Sequence, residues 1–114
     1  MVGWLEAVVT RQYDVCVNPD RSSRGRIPYF VVLQSDFLEL LETVIVAPVL
    51  PDGKGKTISR LNPVIIIDGK AYRANMHHLS SMPRNRLGQR VAGGNASSQH
   101  AEFVAAIDLL FTGI

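Results

Sequence analysis

The carboxy-terminal stretch Ser97 to Ile114, SSQHAEFVAAIDLLFTGI, constrains this chain most. Phe103, Ala106, Ile107, Leu110 and Phe111 recur at three- and four-residue spacing, which builds one apolar stripe along a helix. Ser97 or Ser98 offers an oxygen to cap its start. Glu102 suits the positive end of the helix dipole, and Gly113 suits a left-handed C-cap. A helix of about fourteen residues does not hold alone in water, so it must dock on what the rest of the chain builds. Leu109 falls off the stripe, beside Asp108 and Thr112. That edge of the helix either makes a second contact with the protein's own sheet or faces a partner.

The preceding residues read as short strands broken by turns. Tyr13 to Val17 alternates and stops at Asn18-Pro19-Asp20, and the basic loop Arg21 to Arg26 reads as a solvated hairpin tip or as a contact for phosphate or an acidic peptide. Tyr29 to Leu33 is nearly all apolar, as in a strand buried on both faces. Phe37, Leu38, Leu40 and Leu41 fit a helical turn or a loop. Val44 to Leu50 is another strand, and Pro48 within it points to a sheet edge or a bulge. Val64 to Ile67, Asp68-Gly69, then Ala71 to Met76 form the clearest hairpin. Val91-Ala92 is a short last segment before the loop Gly93-Gly94-Asn95. Five or so short strands and one terminal helix predict an α+β fold that is mainly β, an antiparallel sheet or small barrel with the helix packed on it.

With 114 residues, 46% of them hydrophobic, the chain is one globular domain, 1–114. A domain this small often gains burial by forming oligomers. No apolar run spans a membrane, and the opening MVGWLEAVVTR lacks the marks of a signal peptide. The lone Cys16 excludes an internal disulfide and fits a reducing cytosol, so a cytoplasmic location is expected. A net charge of +2 is mildly basic and favours an acidic partner.

Chemistry is sparse. Gly55-Lys56-Thr57 resembles the end of a phosphate loop, but Leu50 stands where that motif requires glycine. His77, His78 and His100 with one cysteine make no metal pattern, and neighbouring His77 and His78 would face opposite sides of a strand. Arg73, Arg84, Arg86 and Arg90 could form the basic face an RNase needs beside a general base. The carboxylates are scattered. The residues read as a binding module, not an enzyme, with no cofactor and no metal.

YDVCVNPD, PYFVVLQSD, VIVAPVLP, LNPVIIIDGKAYRA, LSSMPRNRLG and AIDLLFTGI follow one another in that order. The ordered set, running from Gln12 to Ile114, resembles the CcdB family of toxins; 1–11 is an N-terminal extension outside it. The resemblance implies an SH3-like barrel or sheet with one C-terminal helix, forming a homodimer. It implies binding to the A subunit of DNA gyrase, and neutralisation by a CcdA-like antitoxin through an acidic, disordered segment. It implies no sequence-specific contact with nucleic acid. Carried onto this chain, the gyrase-contacting residues are Ser35, Phe37, Leu38, Asp108, Phe111, Thr112, Gly113 and Ile114. Thr112 stands where the best-known member of that family uses a large aromatic to stack against the gyrase. The alternatives are a MazF-like mRNA endoribonuclease on the same fold, and a non-toxic interaction module.

Overall fold

The computed structural model describes residues 10–53 and 58–113. Of the expectations above, those for residues 1–9, for Gly55-Lys56-Thr57 and for Ile114 lie outside the described residues. The strands are β1 (Asp14–Val17), β2 (Tyr29–Val32), β3 (Thr43–Pro51), β4 (Val64–Ile67), β5 (Lys70–Ala74), β6 (Ser80–Pro83) and β7 (Arg90–Asn95), followed by helix α1 (His100–Thr112). They form one antiparallel sheet in the order β4-β5-β3-β2-β1-β7, with β6 added on β3. The sheet curls into a nearly closed barrel, and α1 packs on it.

Why these segments become strands follows from their neighbours. Successive side chains of β1, β2 and β3 point to opposite faces, and both faces are buried. Val15, Val31, Ala47 and Val49 join Phe103, Ala106 and Met76 in the main core. Cys16, Val32, Val44 and Val46 form a second, smaller cluster on the other face. This double burial explains the unbroken apolar run of β2. Asp68 and Gly69 turn β4 into β5 with φ of 54° and 78°, as a tight hairpin requires.

Among the described residues seven strands stand where five or so were expected. The polar β6 forms because β3 offers it a free edge, pairing Thr43 with Pro83 and Val46 with Ser80. Gly93-Gly94-Asn95, expected as a loop, continues β7. β5 ends at Ala74, and Met76–His78 is a 3-10 turn; the His77 and His78 rings lie 4.2 Å apart instead of on opposite faces.

Pro48 lies neither at an outer edge nor in a bulge. Across from β2 it pairs with Phe30. On its other side, β3 pairs with β6 up to Val46 and with β5 from Val49 onward. The proline therefore sits where one neighbour gives way to the next, and its missing N–H costs no ladder bond. Its carbonyl accepts from Asn75 N at 2.7 Å.

The helix also departs from expectation at both ends. Neither Ser97 nor Ser98 caps it: Ser97–Gln99 forms a 3-10 turn, and Gln99 precedes α1 without a side-chain cap. Asn95 Oδ1 instead accepts from Ser97 N at 2.9 Å. Gly113 caps the other end as predicted, with φ 77° and its N–H donated to Leu109 O. Phe103 and Ala106 are fully buried and Ile107 packs against the core, but Phe111 is 68% exposed. The stripe leaves the core at its last turn. Leu109 is half-buried.

Candidate protein-binding site

The segment after β2 leaves the sheet at Gln34. Ser35 caps a 3-10 turn, Asp36–Leu38, by accepting from Phe37 N at 3.1 Å. Asp36 Oδ1 accepts from Gln12 N at 2.7 Å. Gln34 braces the base of the loop: its amide nitrogen donates to Thr43 O, and its oxygen accepts from Ile45 N, both at 3.2 Å. The loop held this way turns its apolar side chains outward. Phe37 is 98% and Leu40 94% exposed, and Leu38 and Leu41 are about half exposed. Clusters of exposed large apolar side chains mark interaction surfaces on soluble proteins.

Beside the loop lies a groove of about 380 Å³, lined by Leu33, Gln34, Ser35, Leu38, Ile45, Leu79, Ile107 and Phe111. It brings together three residues predicted from the sequence: Ser35 and Leu38 from the loop, and Phe111 from the last turn of α1. Phe37 points away from this groove into solvent. Asp108 and Thr112 are exposed on successive turns of α1, and the Thr112 hydroxyl donates to Asp108 O at 2.6 Å. Gly113 ends the helix beside them.

Sequence reasoning missed the groove walls Leu33 and Ile45, which read as ordinary strand positions, and Leu79, which carried no assignment. Ile107 was assigned to the core and serves both core and groove. Leu40 and Leu41 read only as part of a helical turn or a loop, although so many large apolar residues between two strands were a legible signal.

Three of the four arginines are engaged by separate partners. Arg73 pairs with Asp52 at 3.0 Å. Arg84 donates to the carbonyls of Leu41 and Leu38. Arg90 lies 3.7 Å from Asp14, a buried carboxylate that also accepts from Arg11 N and Asn95 Nδ2. Among the described residues no group of three or more His, Cys, Asp or Glu is placed to hold a metal. The Cys16 thiol is pushed up to about 11, first by burial and then by the nearby Asp14 charge, with Arg90 opposing. Such a thiol is a packing group, not a nucleophile. Burial lowers His77, helped by the neighbouring His78 ring. No helix among the described residues is long and apolar enough to cross a membrane.

A family model described as CcdB protein matches residues 12–113. The chain belongs to the CcdB family. That membership supports the toxin of a toxin–antitoxin pair, with an antitoxin as partner. Solved structures of other proteins share the fold, two toxins among them. One, titled "Crystal structure of Mtb toxin", is 18% identical with TM-score 0.61, covering 75% of this chain and 97% of that one. The other, a Mycobacterium tuberculosis toxin named MazF-mt6, is 16% identical with TM-score 0.67, covering 86% of this chain and 95% of that one. Among curated proteins, none matches this CcdB-family chain in sequence.

Proposed function

We propose that this CcdB-family protein is the toxin of a type II toxin–antitoxin pair and acts by binding, without catalysis, to the A subunit of DNA gyrase. The binding surface comprises Ser35, Phe37, Leu38, Asp108, Phe111, Thr112, Gly113 and Ile114. The observation that carries this reading is the shared groove. Ser35 and Leu38 meet Phe111 from the far end of the chain, and loop and helix end together present one apolar surface. Thr112 cannot stack as an aromatic does. Phe37 and Phe111, 98% and 68% exposed, supply the aromatic area instead. The protein works as a cytoplasmic homodimer, and an acidic, disordered antitoxin segment neutralises it by masking its surface.

Purified protein added to gyrase with ATP and DNA is expected to leave trapped double-strand breaks. Intact supercoiling without breaks, from protein shown to be folded, overturns the reading.

One observation favours RNA cleavage as a second reading. A cleft of about 590 Å³ holds Arg84 and Arg90 beside Asp14. Yet Asp14 is 1% exposed and its oxygens are taken by Arg11 N and Asn95, so it is poorly placed as a general base. Incubation of the pure protein with total RNA tests this directly: absence of cleavage removes the second reading.

A further inference from the structure

Little apolar burial holds the loop from Phe37 to Leu41 in shape: Leu38 lines the groove, and Leu38 and Leu41 stay about half exposed. No residue of its 3-10 turn is buried, and Phe37 and Leu40 touch mainly water. A segment with so few core contacts samples many backbone conformations unless polar ties restrict it. One such tie comes from a distant part of the chain.

Arg84 follows β6 directly. The register of β6 on β3, with Pro83 opposite Thr43, sets Arg84 beside Glu42, whose carbonyl accepts from Arg84 N at 2.8 Å. From there the guanidinium reaches back over the loop. Its Nε donates to Leu41 O at 3.0 Å and its Nη2 to Leu38 O at 3.2 Å. Leu38 O also accepts from Leu41 N at 3.0 Å, so the clamp closes on the turn's own hydrogen bond. The planar fork of arginine fixes two donors in one geometry, while the ammonium of lysine is a single flexible point.

We infer that Arg84 is a positioning residue for partner binding: it holds the exposed Phe37–Leu41 loop in the shape its partner recognises. It does so through the loop backbone. The inference rests on the reading that this loop contacts the partner. Ordering the loop before encounter removes an entropy cost from association, which raises affinity without adding a contact.

The test uses the full chain and the variants Arg84→Ala and Arg84→Lys. Hydrogen exchange is followed at the amides of Leu38, Glu39 and Leu41, with Val31 and Val46 as core references. Affinity for the gyrase A subunit is measured on the same samples. In Arg84→Ala the loop amides are expected to exchange faster while the core amides do not change, and affinity is expected to fall by about tenfold or more, the worth of a lost charge-assisted bond. Arg84→Lys keeps the charge and the stem and is expected to recover only part of both. Loop exchange equal to wild type in both variants overturns the clamp. So does full recovery of exchange and affinity by lysine, since the fork would then be dispensable. If wild-type protein does not bind gyrase A, the target is wrong, and loop exchange still decides whether Arg84 orders the loop. If Arg84→Ala fails to fold, Arg84→Lys decides alone: unchanged loop exchange overturns the inference, and faster loop exchange over an unchanged core supports it.

Discussion

The Tyr13 hydroxyl lies 2.6 Å from Nδ1 of His100, joining the residue before the first strand to the first residue of the helix. Tyr13 holds a left-handed backbone, φ 69°, which a bulky residue adopts only when its contacts outweigh the strain. Its ring packs 5.1 Å from that of Phe103. Tyr13→Phe keeps the ring and loses the hydrogen bond. His100 is exposed and can turn to water, so the expected loss is about 0.5–1.5 kcal/mol. Urea denaturation measures it, and an unchanged midpoint would show that the bond contributes nothing.

Phe37→Ser separates binding from folding. The side chain meets almost no protein, so stability should stay within about 0.5 kcal/mol of wild type. Gyrase inhibition and growth arrest should fall sharply. A large drop in thermal midpoint would mean that Phe37 is buried in the working form of the protein.

Ending the chain after Phe111 removes the Gly113 cap but leaves Phe103 and Ala106 in the core. The truncated protein should remain folded, with a loss of about 1 kcal/mol, and should lose toxicity. Global unfolding by circular dichroism would show that the terminus is structural.

Gly88 approaches the first strand closely. A Cβ placed there would stand 2.1 Å from Val17 O. The strand would have to give way, because Val17 N also donates to Gln89 O at 2.9 Å. Gly88→Ala should cost about 1–3 kcal/mol in chemical denaturation. A neutral result would place the 87–89 segment further from β1.

Alkaline pH should weaken the fold. The Cys16 thiol titrates near 9.0 when unfolded and at about 11 when folded, and burial raises the Tyr13 phenol as well. Below pH 9 both states hold the thiol proton, so this group adds no pH dependence. Between 9 and 11 the unfolded chain binds fewer protons, and stability falls as pH rises. Native protein at pH 8 should react slowly with a thiol reagent, and denatured protein quickly. Fast labelling of native protein would contradict the burial of Cys16.

The parts legible in the sequence were those whose own residues decide them. The apolar run of β2 reads as buried on two faces because Val31 and Val32 both are. Asp68-Gly69 declares its turn through the backbone it permits, and Gly113 likewise declares the end of the helix. β6 could not be read: Ser80 and Ser81 carry no strand pattern, and they pair only because β3 has a vacant side there. The exposure of Phe111 was hidden for a similar reason. Spacing shows that a side chain lies on the apolar face of a helix, but not that the core beneath ends at Ile107. At the site, Ser35, Leu38 and Phe111 came from family resemblance, and the groove they share came from the fold. Arg84 had no local signal, since the carbonyls it binds are 43 and 46 residues away.

Pro48 has a consequence for how the barrel finds its pairing. Along β3 two different strands must share one side without overlap. A strand slid along β3 across position 48 would set a carbonyl against a nitrogen that has no proton to give. The proline thus acts as a fence post: β6 is confined to the stretch before it and β5 to the stretch after it. Mispaired barrels are penalised at the residue that the correct pairing leaves unburdened.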